Sequence, residues 1–309
     1  MPNRLPLFLF LIGCVLSVCA GQACTPQVVI PENRLLVLGV ISGNAAEDAS
    51  QLQPLADVLA KGLQEYGITG GEVRVAASVD EMADWMKTGV VDLYFDSAYP
   101  ALLVSEQSQA EFVLRGWQFG RPEAQSVIFA SRDSEFKTLH ELQGGLIAVR
   151  APQSTSGFFL PLAYLAEQGL NLVGKPGFNA SINGTEAGFV FTGSDQETLR
   201  AVLSRTAAAG VVDDYHFDIV LAPEISQQLV ELARTEKIPR QVVLARPGLN
   251  ASYRAILVRA LERLHETESG RAALNAFHTT RFDSFPGGAE ETARRLREML
   301  AIVKRIALP

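Results

Sequence analysis

After residue 24 the chain contains no cysteine: Cys14, Cys19 and Cys24 are the only three among its 309 residues. A disulfide framework, a cysteine nucleophile and a thiolate metal site are thereby excluded from the folded part. Basic runs are missing as well, and the net charge is -7. Without a positive stripe there is no electrostatic footprint for nucleic acid, so none is expected as a partner. The histidines His140, His216, His265 and His278 include no pair at metal-ligand spacing. Neither a Walker loop, a dinucleotide glycine motif nor a nucleophile elbow occurs. No acid, base and nucleophile assemble, so neither enzyme activity nor a metal or cofactor is expected.

What the chain does have begins with residues 1–24. One arginine, Arg4, precedes an uncharged run over residues 5–18, and small residues follow at 19–23. A membrane-spanning helix needs about 20 apolar residues, more than this run supplies. The three-part pattern is that of an export signal over residues 1–23. Ala20-Gly21-Gln22-Ala23-Cys24 also resembles a bacterial lipobox, in which Cys24 would carry the lipid. The expected location is therefore the periplasm, either free or tethered there as a lipoprotein.

Apolar residues make up 48% of the chain and charged residues 20%, enough to fill a sizeable core. Near-continuous apolar runs at 34–42, 90–95 and 146–150 read as buried strands, and 72–77, 111–117, 125–130, 188–192 and 241–245 as further strands, with a short one beginning at 211–212. Between them, residues 51–66 carry leucine or alanine at helical spacing, and 158–170 repeat that pattern after Gly157. Residues 44–48 read as a polar loop. Three capping boxes, at Ser78–Glu81, Thr138–Glu141 and Ser194–Glu197, mark helix starts. Strand–helix alternation of this kind predicts an α/β fold. It starts twice, which predicts two lobes: residues 31–122, then 123–240, with 241–309 returning to the first lobe.

In open parallel sheets, ligands bind beyond the carboxyl ends of the strands. The candidates there are Ser42, the group Asp96, Ser97 and Tyr99, the turn Ser154-Thr155-Ser156, and Asp195 and Asp213. The Ser-Thr-Ser turn stands out because it passes from a strand into a helix. A helix N-terminus carries unpaired N–H groups and about half a positive charge. Hydroxyls placed there cradle an anion without needing a basic side chain. A helix cap requires only one of the three.

The strand followed by Ser154-Thr155-Ser156-Gly157-Phe158 resembles the phosphate, phosphite and phosphonate-binding proteins of ABC importers. Val91-Asp92-Leu93, Gly193-Ser194-Asp195 and Gly210-Val211-Val212-Asp213 resemble that family's strand and cleft-loop segments. The resemblance implies a two-lobed periplasmic-binding-protein fold of type II-like architecture, with a ligand cleft between the lobes. It implies a monomer that presents a small anion to an ABC permease in the inner membrane, and it gives Ser154, Thr155 and Ser156 the role of gripping the oxyanion. The sequence departs from the phosphonate-binding pattern near Val79, Asp96 and Asp195. The first two positions carry an aromatic in those relatives, and the third a histidine. Two other classes share the architecture: a periplasmic sensing module for a membrane-bound kinase, and an enzyme such as a transferase.

Overall fold

The computed structural model describes residues 34–309, so the expected export segment and Cys24 lie outside the described residues. The chain enters through β1 (Arg34–Ile41) and passes directly into α1 (Ala45–Gly62). The polar loop expected at 44–48 is thus the first turn of a helix. Glu47 and Asp48 lie in that turn, where acidic side chains favour the positive end of the helix dipole. Next come β2 (Ile68–Ala76) and α2 (Val79–Thr88). Here the expected capping box forms: Ser78 Oγ accepts the Glu81 N–H at 3.2 Å, and the Glu81 carboxylate accepts the Ala77 N–H at 2.8 Å. β3 (Leu93–Asp96), α3 (Ala98–Ser108) and β4 (Glu111–Gln118) complete this part of the chain.

The chain then crosses through β5 (Glu123–Ala124) into β6 (Ser126–Ser131) and β7 (Leu146–Val149). The box at Thr138 opens no helix. A single turn at His140–Leu142 is stopped by Gly144 and Gly145, whose backbone freedom makes helix costly. The helix expected at 158–170 begins earlier, as a π-helical turn over Thr155–Phe159 that continues into α4 (Leu160–Glu167). β8 (Leu172–Gly174), β9 (Ala187–Phe191), α5 (Asp195–Leu203), β10 (Ala209–Asp213), α6 (Pro223–Ser226) and β11 (Leu229–Arg234) follow.

Return is through β12 (Ile238–Pro239), which pairs antiparallel with β5, so the two crossings lie side by side. The last elements are β13 (Gln241–Ala245), α7 (Ala251–Arg263), α8 (Glu268–Ala276), β14 (Thr279–Asp283) and α9 (Ala289–Val303). Two six-stranded sheets result, in the orders β14-β4-β13-β3-β1-β2 and β11-β6-β10-β7-β9-β8. Each mixes parallel strands with antiparallel ones: β1 is parallel to β2 and β3, and β7 to β9 and β10. β13 and β6 run antiparallel to their neighbours. The protein therefore has the two-lobed α/β architecture of periplasmic binding proteins. Among the described residues no helix is long and apolar enough to cross a membrane.

Within the first lobe, Asp92 is 1% exposed and ties three strands together. Its carboxylate accepts from Arg34, from Arg246 Nε at 3.0 Å and from the Val37 N–H at 3.2 Å. A buried carboxylate needs such saturation, because desolvation otherwise costs several kcal/mol.

The C-terminal helices do not all return to the first lobe. α9 places Leu296, Met299 and Leu300 in one buried cluster with Ala98, Ala101 and Leu102 of α3 and with Phe158, Phe159 and Leu162 of the second lobe. Arg297 pairs with Glu106 of α3 at 2.6 Å, while Arg295 pairs with Glu167 of α4 at 3.1 Å and with Glu236. Beyond it, Ala307 bridges Val173 at the edge of the second sheet. A third connection thus joins the lobes beside the two crossing strands.

Candidate functional site

β7 ends at Val149, and the next residue is held from both sides. The Arg150 N–H donates to the Gly157 carbonyl at 2.9 Å, and its own carbonyl accepts the Gly193 N–H at 2.7 Å. Only glycine fits at 157, since a Cβ there would lie 2.5 Å from the Arg150 Cβ. The Ser-Thr-Ser turn is folded down over Arg150, whose side chain leaves into the space between the lobes and stays 49% exposed. No protein hydrogen bond from its guanidinium forms among the described residues; the nearest carboxylate oxygen, on Asp195, is 3.6 Å away.

The three hydroxyls of the turn have different tasks. Ser154 Oγ accepts the Gly157 N–H at 2.9 Å and caps the turn. Thr155 is buried, and its hydroxyl reaches across the seam: it accepts the Tyr99 N–H and donates to Ser97 Oγ, each at 2.9 Å. Ser156 is fixed through its carbonyl, which accepts from Ser126 Oγ at 2.7 Å, while its hydroxyl has no protein partner. The N–H groups of Thr155 and Ser156 have no acceptor among the described residues, as expected at a helix start.

These groups open onto an interlobe cavity of about 550 Å³. Asp195 and Asp213 line it from the second lobe, with Tyr215 and His216, and Ser97, Gln118 and Phe119 line it from the first. Asp195 is not the cap of α5. Ser194 takes that place by accepting the Glu197 N–H at 3.2 Å. The Asp195 carboxylate instead turns to the cavity, 3.6 Å from Arg150 and 4.0 Å from His216 Nδ1. Asp213 is already committed: it accepts from Arg240 at 2.8 Å and from the Tyr215 N–H at 2.9 Å. Arg240 in turn reaches Asp214 and the Glu123 carbonyl, so three of its five N–H donors serve the hinge.

Two other expected residues lie elsewhere. Ser42 and Tyr99 line a neighbouring interlobe cavity of about 870 Å³, walled by Val79, Leu103, Phe158 and the C-terminal segment. Tyr99 stacks flat on Phe159, ring centroids 4.3 Å apart. Asp96 lines neither cavity. Its carboxylate accepts from Tyr94 Oη and the Ser97 N–H, both at 2.6 Å, and from Ser97 Oγ at 3.2 Å. Burial pushes this carboxyl up to about 6, against the pull of those hydrogen bonds. Together these contacts form a chain across the seam: Tyr99 N–H to Thr155, Thr155 to Ser97, Ser97 to Asp96.

Sequence reasoning passed over Arg150, Phe119 and Tyr215. It counted Arg150 as the last strand residue and expected the anion to be held without a basic side chain. The available signal was its position, directly before the hydroxyl-rich turn at the carboxyl end of a parallel strand.

The chain is similar to XAC2383 from Xanthomonas citri, solved bound to ATP: identity is 26% over 88% of this chain and 97% of that one, with a TM-score of 0.78. The same protein bound to chloride gives 27% identity over 88% and 98%, with a TM-score of 0.79. The PhnD1 protein of Prochlorococcus marinus, in complex with methylphosphonate, shares the fold at 18% identity, covering 88% of this chain and 99% of that one, with a TM-score of 0.61. No curated protein matches the chain. A family model described as "ABC transporter, phosphonate, periplasmic substrate-binding protein" matches residues 38–285. That match spans both sheets and every residue lining the cavity of about 550 Å³, and the chain accordingly belongs to the phosphonate-type periplasmic substrate-binding family of ABC transporters.

Proposed function

We propose that this protein carries a small oxyanion, a phosphonate, phosphite or phosphate-like ion, in the cavity of about 550 Å³ between its lobes and delivers it to an ABC permease. One observation carries the proposal: the Arg150 guanidinium shares the cavity with a helix start, and among the described residues neither it, nor the first N–H groups of that start, nor the Ser156 hydroxyl has a protein hydrogen bond. A guanidinium forms paired, charge-assisted hydrogen bonds with tetrahedral oxyanions, and a helix N-terminus adds its dipole. Ser154 shapes the grip and Thr155 joins it to Ser97 of the opposite lobe. Asp195 aligns Arg150 and His216 and disfavours a ligand that presents negative charge to that wall. Asp213 acts through Arg240, while Ser42 and Tyr99 serve the adjoining chamber. The Xanthomonas citri relative, solved with ATP and with chloride, supports an anion as the ligand class.

Titration calorimetry with inorganic phosphate and methylphosphonate tests this. Hydrogen bonds to a charged group are worth about 1.5–3 kcal/mol each. Ser156→Ala should therefore weaken binding roughly tenfold to a hundredfold, and Arg150→Gln at least as much. Unchanged affinity in both variants would place the anion elsewhere. Export of the chain and a lipid on Cys24 are read from the intact mass of protein taken from cell envelopes. A species that keeps residues 1–23 contradicts export, and the mass of a diacylglycerol group establishes the anchor.

A further inference from the structure

The same cavity has a second pole. Besides Arg150 and Ser156, its lining includes Phe119, Tyr215, Val220 and Ala124. Phe119 comes from the first lobe and Tyr215 from the second, and their rings stack across the cleft, centroids 4.8 Å apart and within 8° of parallel. Each has a further neighbour: the Arg121 guanidinium lies 5.7 Å from the Tyr215 ring, and the His278 ring lies 5.7 Å from Phe119.

Phe119 is held in place against local preference. It and Gly120 have φ of 53° and 74°, the signs of a type I′ turn between Gln118 and Arg121. Asparagine or glycine suits the first central position, whereas a bulky side chain at positive φ is strained. The Phe119 N–H is pinned to the His278 carbonyl at 2.8 Å, which keeps the strained residue in position. Strain of this kind concentrates at functional sites. Exposure points the same way. Of the large apolar side chains that are markedly exposed among the described residues, Leu35, Phe119, Ile219, Val220 and Leu308, two, Phe119 and Val220, line this cavity. A cluster of exposed apolar groups beside a polar pocket marks a binding surface.

The volume adds a third reason. Pockets of about 300–1,000 Å³ enclose drug-sized molecules. A cavity of about 550 Å³ is far larger than a tetrahedral ion requires.

We infer that Phe119 and Tyr215 are an aromatic clamp, one ring from each lobe, and that the ligand is an oxyanion carrying a planar aromatic or heteroaromatic group. The oxyanion end sits on Arg150 and Ser156, and the ring inserts between Phe119 and Tyr215 as the lobes part, replacing the direct stack of the two rings. This rests on the oxyanion reading above and narrows it from inorganic ions to aryl-type phosphonates and phosphate esters.

The test is titration calorimetry on the full chain with methylphosphonate and phenylphosphonate, two probes with the same head group. The wild type should bind phenylphosphonate about tenfold tighter, the size of one good aromatic contact. In Phe119→Asn, chosen because asparagine accepts the turn's positive φ, and in Tyr215→Ala, the ratio of the two affinities should fall to about one. Equal affinities in the wild type, or a ratio that survives both substitutions, overturn the clamp while leaving the oxyanion reading in place. Binding of neither probe by the wild type overturns both. A Phe119→Asn variant that is folded by circular dichroism yet binds neither probe also overturns the clamp, because Phe119 would then serve the head group or lobe closure and not the ring.

Discussion

Asp92 and Asp195 each face an arginine beside a buried strand, one in each lobe, and the two pairs have opposite characters. Asp92 lies before the amino end of β3, is 1% exposed, and accepts from two guanidiniums and a backbone N–H. Asp195 lies beyond the carboxyl end of β9, and its arginine stands 3.6 Å away and 49% exposed. The first pair is saturated by the protein; the second leaves guanidinium donors to spare. Residue type says nothing about this difference. Position at the strand's carboxyl end, together with unspent hydrogen-bonding capacity, separates a recognition charge from a structural one.

The contrast predicts opposite phenotypes, and the largest effect falls on stability. Asp92→Ala strands two part-buried arginines and should cost about 3–5 kcal/mol of unfolding free energy in a denaturant titration. Affinity for phosphonate in the surviving folded fraction should be unaffected. A loss below about 1 kcal/mol would mean that the Asp92 cluster is no more structural than a surface pair. Arg150→Ala should do the reverse, leaving stability within about 0.5 kcal/mol, as for surface substitutions. A large destabilisation would erase the distinction between the two pairs.

A smaller effect is expected at the seam. The Thr155 hydroxyl joins the lobes through neutral hydrogen bonds to Ser97 and Tyr99, each worth about 1 kcal/mol net. Thr155→Val should weaken binding about fivefold by loosening closure and not by removing a ligand contact. Small-angle scattering should then show a larger radius of gyration before ligand is added and the wild-type radius at saturation. Equal radii before ligand would deny Thr155 a part in closure.

The last effect concerns what Asp96 contributes to stability as pH changes, its carboxyl being held by burial at about 6. In the unfolded chain an aspartate has already released its proton near pH 4, whereas the folded protein retains it. Stability is therefore greatest below about pH 4, falls as the pH rises toward 6, and is flat above. Asp96→Asn should remove this slope in urea titrations at pH 4, 5 and 6. A slope identical in the variant would assign it to another group.

How far the chain could be read in advance follows from where each residue's partners are. The central strands were legible because both their faces are buried, which makes the sequence a continuous apolar run, as in β1, β7 and β13. The strands that sequence reasoning did not supply, β8, β11 and β14, are all at sheet edges. An edge strand packs on one side only, and its mixed pattern, such as Leu229-Val230-Glu231-Leu232-Ala233-Arg234, does not stand out. The box at Ser78 was readable because its helix runs to Thr88 before Gly89 ends it, while the one at Thr138 is cut short by Gly144 and Gly145. At the site, the Ser-Thr-Ser turn was legible as a local motif. The division of labour within it was not, because Ser97, Tyr99 and Ser126 come from distant segments. The state of Arg150 was hidden for the same reason: whether a guanidinium is spent depends on distances that only the fold sets.

The segment after α9 has one more consequence. β8 is the last strand of the second sheet, and its outer side would otherwise offer a row of unpaired backbone groups to any passing chain. Residue 307 lies along it: the Gly174 N–H donates to the Ala307 carbonyl at 2.7 Å, and Pro309 packs over Gly174, where a side chain would not fit. The same stretch that links the lobes is thus a hem sewn over a raw edge, and it guards against self-association. In a crowded cell envelope a frayed hem would show first as turbidity, with the anion-binding cleft still intact.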